Sequence, residues 1–184
     1  MKNSNYKQTE TRSIPEGWNK SELDIYLQHI HRCLSILYQQ EYSLFENDLC
    51  ERCITFRFAH FLQNIFDGNT SNSKYFVDCD YNSSFYYDER HRQWIKRNGK
   101  PIEEQTSGRP VKRFIDIIVH QRKYEQPSDL ICFEIKKWNN CTKDAVNKDL
   151  NNLKQLTSKY GYSFGFHLIF GKKLEETKIK IVKG

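Results

Sequence analysis

Two nearly continuous apolar runs rich in Ile and Val, residues 114–119 and 130–135, are each interrupted by charge. Separated by a polar stretch containing Pro127, they read as adjacent central strands of a hairpin, covered on both faces. An isolated carboxylate or ammonium in such a sheet is strongly unfavourable unless the charges pair, bind a metal or open onto a solvated cleft. Asp116 sits inside the first run and Glu134 inside the second, with Lys136 just past its end. Strand alternation puts Glu134 and Lys136 on one face, about 7 Å apart. Asp116, on the neighbouring strand, comes beside Glu134 if the register allows. Two converging carboxylates repel unless a divalent cation lies between them, and oxygen-only ligands suit Mg²⁺, Mn²⁺ or Ca²⁺. A lysine beside them would orient an attacking water or stabilise charge building on a phosphate, an assembly suited to phosphodiester hydrolysis.

The rest of the chain supplies a scaffold for these strands. At 184 residues there is room for one domain with a sizeable core. Residues 1–18, rich in Asn, Ser, Thr and Lys, read as a flexible leader, and residues 19–184 as one domain. From Ser21, a good N-cap, Leu23, Leu27, Ile30, Leu34 and Leu37 mark a helix ending near Gln40. A second helix fits residues 44–66, with Ile54, Phe58, Leu62 and Ile65 facing inward. Residues 75–81 alternate as a strand with Asp78 and Asp80 on one side, and residues 82–111 lack clear periodicity, reading as a long flexible connection that faces substrate. Val146, Leu150, Leu153 and Leu156 mark a helix over 145–160 closed by Gly161, followed by strands at 163–170 and 178–182. The class is therefore α/β: helix, strand, strand, strand, helix, strand, with one extra helix before and one extra strand after.

The net charge of +6 favours an anionic partner, nucleic acid first and an acidic membrane surface second. No apolar run approaches the roughly 18 residues of a membrane span, and no export signal is legible, so the six cysteines are expected as free thiols in a reducing, cytoplasmic setting. Cys50 and Cys53 have CxxC spacing, but with no second pair and a helical surrounding they are expected to be buried structural residues.

The string Ile115-Asp116, then seventeen residues, then Glu134-Ile135-Lys136 resembles the D…(D/E)xK signature of the PD-(D/E)XK nuclease superfamily. Further strings, Glu51-Arg52 with Arg57-Phe58-Ala59-His60, residues 77–82 and residues 116–120, are similar to small uncharacterised bacterial members. Ile115 stands where many members carry proline. The resemblance implies a restriction-endonuclease-like αβββαβ core, a mixed central sheet flanked by helices. It also implies that Asp116 and Glu134 bind Mg²⁺ together with the Ile135 carbonyl, and that Lys136 positions the nucleophilic water. Glu51, on the first core helix, would bind a second metal or hold Lys136, and Asp80 is a further candidate ligand. Products with a 5′-phosphate and a 3′-hydroxyl would follow.

Bland readings compete at each position. The acid–lysine set is matched by a structural ion pair across two strands, Glu51 by an acid favouring the start of its helix, and Asp80 by an exposed edge acid. His120, ending a core strand, is expected to be a hydrogen-bonded structural residue, and Lys137 to point away from Glu134. Arg109, Lys112, Arg113 and Arg122 are the candidate phosphate contacts, with solvated surface charge as the default. The expectation is a metal-dependent endonuclease acting on DNA ahead of RNA, in restriction, repair or defence, as a homodimer if it cuts both strands. The competing classes are an RNA-cleaving enzyme and a binding module, for nucleic acid or protein, that no longer cleaves.

Overall fold

The computed structural model describes residues 19–68, 75–81, 83–98, 101–103, 110–112, 114–121 and 129–183, with the backbone alone at 83–87, 93–98, 101–103, 110–112 and 129. The expected leader, residues 1–18, lies outside the described residues.

Helix α1 (Lys20–Gln40) buries Leu23, Ile30, Leu34 and Leu37, with Tyr26, Cys33 and Tyr38 completing the stripe. Its N-cap is Asn19 rather than Ser21, the Asn19 side chain accepting the Glu22 N–H at 3.3 Å. The single helix expected over 44–66 is two: a short α2 (Tyr42–Glu46) and α3 (Glu51–Asp67). The break has a physical cause. Asp48 takes a left-handed conformation, φ 54°, and the carbonyls freed there and at Leu49 accept the Lys137 ammonium at 3.1 and 2.7 Å. A new helix N-terminus is thereby created at Cys50.

Strand β1 (Phe76–Tyr81) follows, and then four strands that were not expected, in two pairs: β2 (Ser83–Asp88) with β3 (Gln93–Asn98), and β4 (Pro101–Glu103) with β5 (Pro110–Lys112). They form two separate antiparallel ribbons where the sequence reads as an unstructured connection. The first is closed by a turn in which Asp88 Oδ1 accepts the N–H groups of Arg90 and His91 at 3.0 and 3.3 Å.

The chain then builds β6 (Ile115–His120), β7 (Asp129–Lys137), α4 (Lys143–Lys159), β8 (Phe164–Phe170) and β9 (Lys178–Val182). The open five-stranded sheet has the order β1-β6-β7-β8-β9, with β7 and β8 parallel and the other pairs antiparallel. Strands β6 and β7 are the expected hairpin, and α3, β1, β6, β7, α4 and β8 follow one another as expected, the two ribbons being inserted after β1.

Alternation along the strands sorts the two faces. Ile117 and Val119, then Ile131, Phe133 and Ile135, then Phe164, Phe166, Leu168 and Phe170 join α1 and α3 in the larger core. Ile118 and Cys132 face the other way, toward Leu153 and Leu156 of α4. Helix α4 approaches the sheet closely over Gly165, where an added Cβ would meet the Leu153 side chain at 3.0 Å. Gly161, φ 78°, provides the left-handed turn that ends α4. Among the described residues, no helix is long and apolar enough to cross a membrane.

Candidate active site

Glu134 shares the face of Cys132, two residues earlier, and Asp116 shares the face of Ile118, so both acids project toward α4. The last paired residues of β6 and β7 are Ile117 and Phe133; one step further along the same register, Asp116 stands opposite Glu134. Here the Asp116 carboxylate bridges the strands, Oδ2 accepting the Ile135 N–H at 2.7 Å. Across the other edge of β7, Glu134 pairs in register with His167 of β8. A polar row therefore crosses three central strands beneath α4.

Lys136 lies at the centre of this group. Its Nζ donates to the Ile135 carbonyl at 2.9 Å and stands 3.3 Å from Asp149 Oδ2 and 3.6 Å from Glu51 Oε1. Glu51 is in the first turn of α3, and its second oxygen accepts the Lys137 N–H at 2.9 Å and the Asn140 amide at 3.3 Å. Asp149 also contacts His167 Nε2 at 3.3 Å, and Asn152 donates weakly to Glu134 Oε1 at 3.4 Å. Phe114, Glu134, Lys136, Ala145, Lys148, Asp149 and Asn152 line a cleft of about 330 Å³. Asp116 and Glu51 are not in its wall.

The electrostatics follow from crowding acids in a dry place. Burial, then the charges of Asp116 and Asp149, push the Glu134 carboxyl well above its ordinary value, against the pull of Lys136 and Asn152. Burial likewise raises Asp116, although the Ile135 N–H and Lys136 oppose it. For Lys136, burial acts downward, but Asp149, Glu51, Asp116 and Glu134 together outweigh it and hold the ammonium above its ordinary value. Ionised together, those four carboxylates would face one ammonium. Among the described residues, no group of three or more His, Cys, Asp or Glu side chains is arranged to hold a metal ion.

Of the expected residues, Glu51, Asp116, Glu134, Ile135 and Lys136 are brought together. Asp80 is not: it has φ 49°, and its exposed carboxylate pairs with Arg52 at 3.6 Å. His120 is buried and bonded to Asp78 at 2.7 Å, and Lys137 points away, to Asp48 and Leu49, both as expected. Arg109, Arg113 and Arg122 lie outside the described residues; Lys112 is on β5, its side chain undescribed. Cys50 and Cys53, expected to be buried, are exposed, because α3 begins at this pair instead of running through it.

Asp149, Asn152 and His167 were not expected, although a signal was present. Asp149, Asn152, Leu153 and Leu156 fall at helical i, i+3, i+4 and i+7, so two polar residues occupy the apolar stripe of α4. His167 is the one titratable residue within the run Phe164–Phe170. A buried polar side chain in such a position needs a partner, and these three partner the charged cluster.

No protein-family model matches this sequence, and neither a curated protein nor a solved structure matches it.

Proposed function

We propose that this chain is a metal-dependent nuclease with a restriction-endonuclease-like core, hydrolysing phosphodiester bonds in DNA ahead of RNA. One observation carries the reading: Asp116 and Glu134, from adjacent antiparallel strands, project from the same face of the sheet beside Lys136. The order α3, β1, β6, β7, α4, β8 supports the same core.

The residues present fit a divalent cation. Asp116 engages Ile135 through Oδ2 and Glu134 meets Asn152 through Oε1, so each acid keeps a second oxygen for a ligand. Their raised carboxyls are also the groups that a cation would return to the ionised form. Bound there, Mg²⁺ or Mn²⁺ would polarise a phosphoryl oxygen and acidify a water molecule. The chain's own residues divide the remaining work. Asn152 orients Glu134. Asp149 and Glu51 hold the Lys136 ammonium, which orients the water and stabilises negative charge on the phosphate. Phe114, 67% exposed at the cleft, offers a stacking face, and Lys148 a phosphate contact.

One observation favours the runner-up, a domain that binds without cleaving: the Ile135 carbonyl, the expected third ligand, already accepts from Lys136 Nζ. In that reading the ammonium neutralises the acids permanently. Incubation of single- and double-stranded DNA and RNA with Mn²⁺ separates the two. The nuclease reading predicts cutting by the parent and its loss in Asp116→Ala and Lys136→Ala, both folded. Cutting that persists in both variants, or no cutting of any polymer by the parent, contradicts it.

A further inference from the structure

Six cysteines occupy the described residues, and four of them are chemically quiet. Cys33 and Cys132 are buried and donate to the carbonyls of Phe58 and Phe164. Cys79 is pushed up to about 12 by burial, then by the nearby Asp80, Asp78 and Asp116. Cys141 is raised as well, by burial first. The remaining pair differs in exposure, position and contact.

Cys50 is the N-cap of the 17-residue helix α3, and Cys53 lies in its first turn, so Cys50-Glu51-Arg52-Cys53 wraps the start of the helix. Both residues are exposed, and their sulfurs stand 2.8 Å apart. A disulfide needs about 2.05 Å between the sulfurs, so closing the pair brings them closer still. The backbone N–H of Cys53 donates to the Cys50 carbonyl at 3.0 Å, so the turn is formed before any bond between the sulfurs. We propose that Cys50 and Cys53 are a redox-active dithiol that closes reversibly into an intramolecular disulfide by exchange with a disulfide substrate.

Their roles are unequal. The contact with the Cys53 sulfur, then the backbone N–H groups of Cys53 and Arg52 and the Arg52 charge, hold the Cys50 thiol at the N-cap of α3 below its ordinary value. The same contact pushes Cys53 up. Cys50, the N-cap ahead of the first helical turn, is the attacking sulfur, and Cys53, inside that turn, the resolving one. The Cys50 thiolate attacks one sulfur of the substrate disulfide, its S–S bond breaks, and the departing thiolate takes up a proton. Cys53 then gives its proton to solvent and attacks the Cys50 sulfur of the mixed disulfide, releasing the second thiol. Two electrons pass from the cysteine pair to the substrate, which leaves as two thiols. This chemistry is independent of the nuclease reading.

The test uses the full chain equilibrated in glutathione buffers of graded GSH to GSSG ratio, quenched in acid, alkylated and read by peptide mass. Cys50 and Cys53 should lose their label together in one two-electron transition, at ratios where Cys79 and Cys141 stay labelled. Cys50→Ser, with serine a good N-cap residue, should abolish the two-electron transition and leave Cys53 to form a glutathione adduct only slowly. Cys53→Ser should accumulate a glutathione adduct on Cys50, at least ten-fold faster than Cys53 does in Cys50→Ser. Independent oxidation of the two sites, full labelling of both at the most oxidising ratio, or equal adduct rates in the two variants would overturn the proposal.

Discussion

Asp116 Oδ2 accepts the backbone N–H of Ile135 at 2.7 Å, a side chain of β6 standing in the ladder just beyond the last paired residues, Ile117 and Phe133. This contact ties the first acid to the strand that carries the second, so the geometry of the pair is set by the sheet rather than by a loop. Holding two buried acids this way has consequences for stability, pH response and metal dependence.

Glu134→Gln should stabilise the protein in EDTA while abolishing cleavage. The Glu134 carboxyl is raised above its ordinary value of 4.5, so its contribution to stability is full below that pH and is lost as pH rises through the folded value. Asp116 acts in the same direction from 3.8. The Tm advantage of Glu134→Gln over the parent should therefore grow with pH from 4 to 8, reaching a few degrees, on the order of 1 kcal/mol. Thermal melts at graded pH check this; an advantage that shrinks with pH contradicts it.

Asp149→Asn removes the carboxylate 3.3 Å from Lys136 Nζ and keeps the side-chain shape. Cleavage should fall by about ten-fold or more in kcat with KM little changed, because the lysine is misplaced but the surfaces that meet substrate remain. Asp149→Glu should recover part of the loss. A KM effect with kcat intact would assign Asp149 to substrate contact instead.

The sequence makes the strand order and the acid–lysine motif legible because buried strands leave strong apolar runs and charges within them stand out. It hides the α2–α3 break, since the left-handed Asp48 is stabilised by Lys137, 89 residues away along the chain. It also hides the ribbons: two-stranded pairs need no long apolar run, and strands of three residues, Pro101–Glu103 and Pro110–Lys112, are too short to show a period. Asp149 and His167 were legible as polar intrusions on apolar faces, but their meeting with Lys136 depends on how α4 crosses β7 and β8.

Lys137→Ala tests the break directly. Its buried ammonium caps the Asp48 and Leu49 carbonyls and pairs with Asp48 Oδ1 at 2.7 Å. Loss of these bonds should cost about 2–4 kcal/mol by chemical denaturation. Amide exchange at 48–53 should rise, because the start of α3 is no longer pinned. A variant as stable as the parent would show the lysine to be dispensable there.

Gly165→Val should push Leu153 away from β8, since a first added carbon already meets that side chain at 3.0 Å. A loss of about 1–3 kcal/mol follows, and with it a drop in cleavage, because α4 also carries Asp149 and Asn152. Gly165→Val combined with Leu153→Ala should recover much of both. Failure of the double variant to recover would mean that the glycine serves something other than the approach of α4.

The sharing of one divalent cation by Asp116 and Glu134 is tested most directly by calorimetric titration of the metal-free protein with Mn²⁺. The parent should show saturable binding that weakens at least ten-fold in Asp116→Ala and in Glu134→Ala, and stays unchanged in Cys50→Ser. A parent without saturable Mn²⁺ binding, or acid variants that bind as tightly as the parent, would contradict the account.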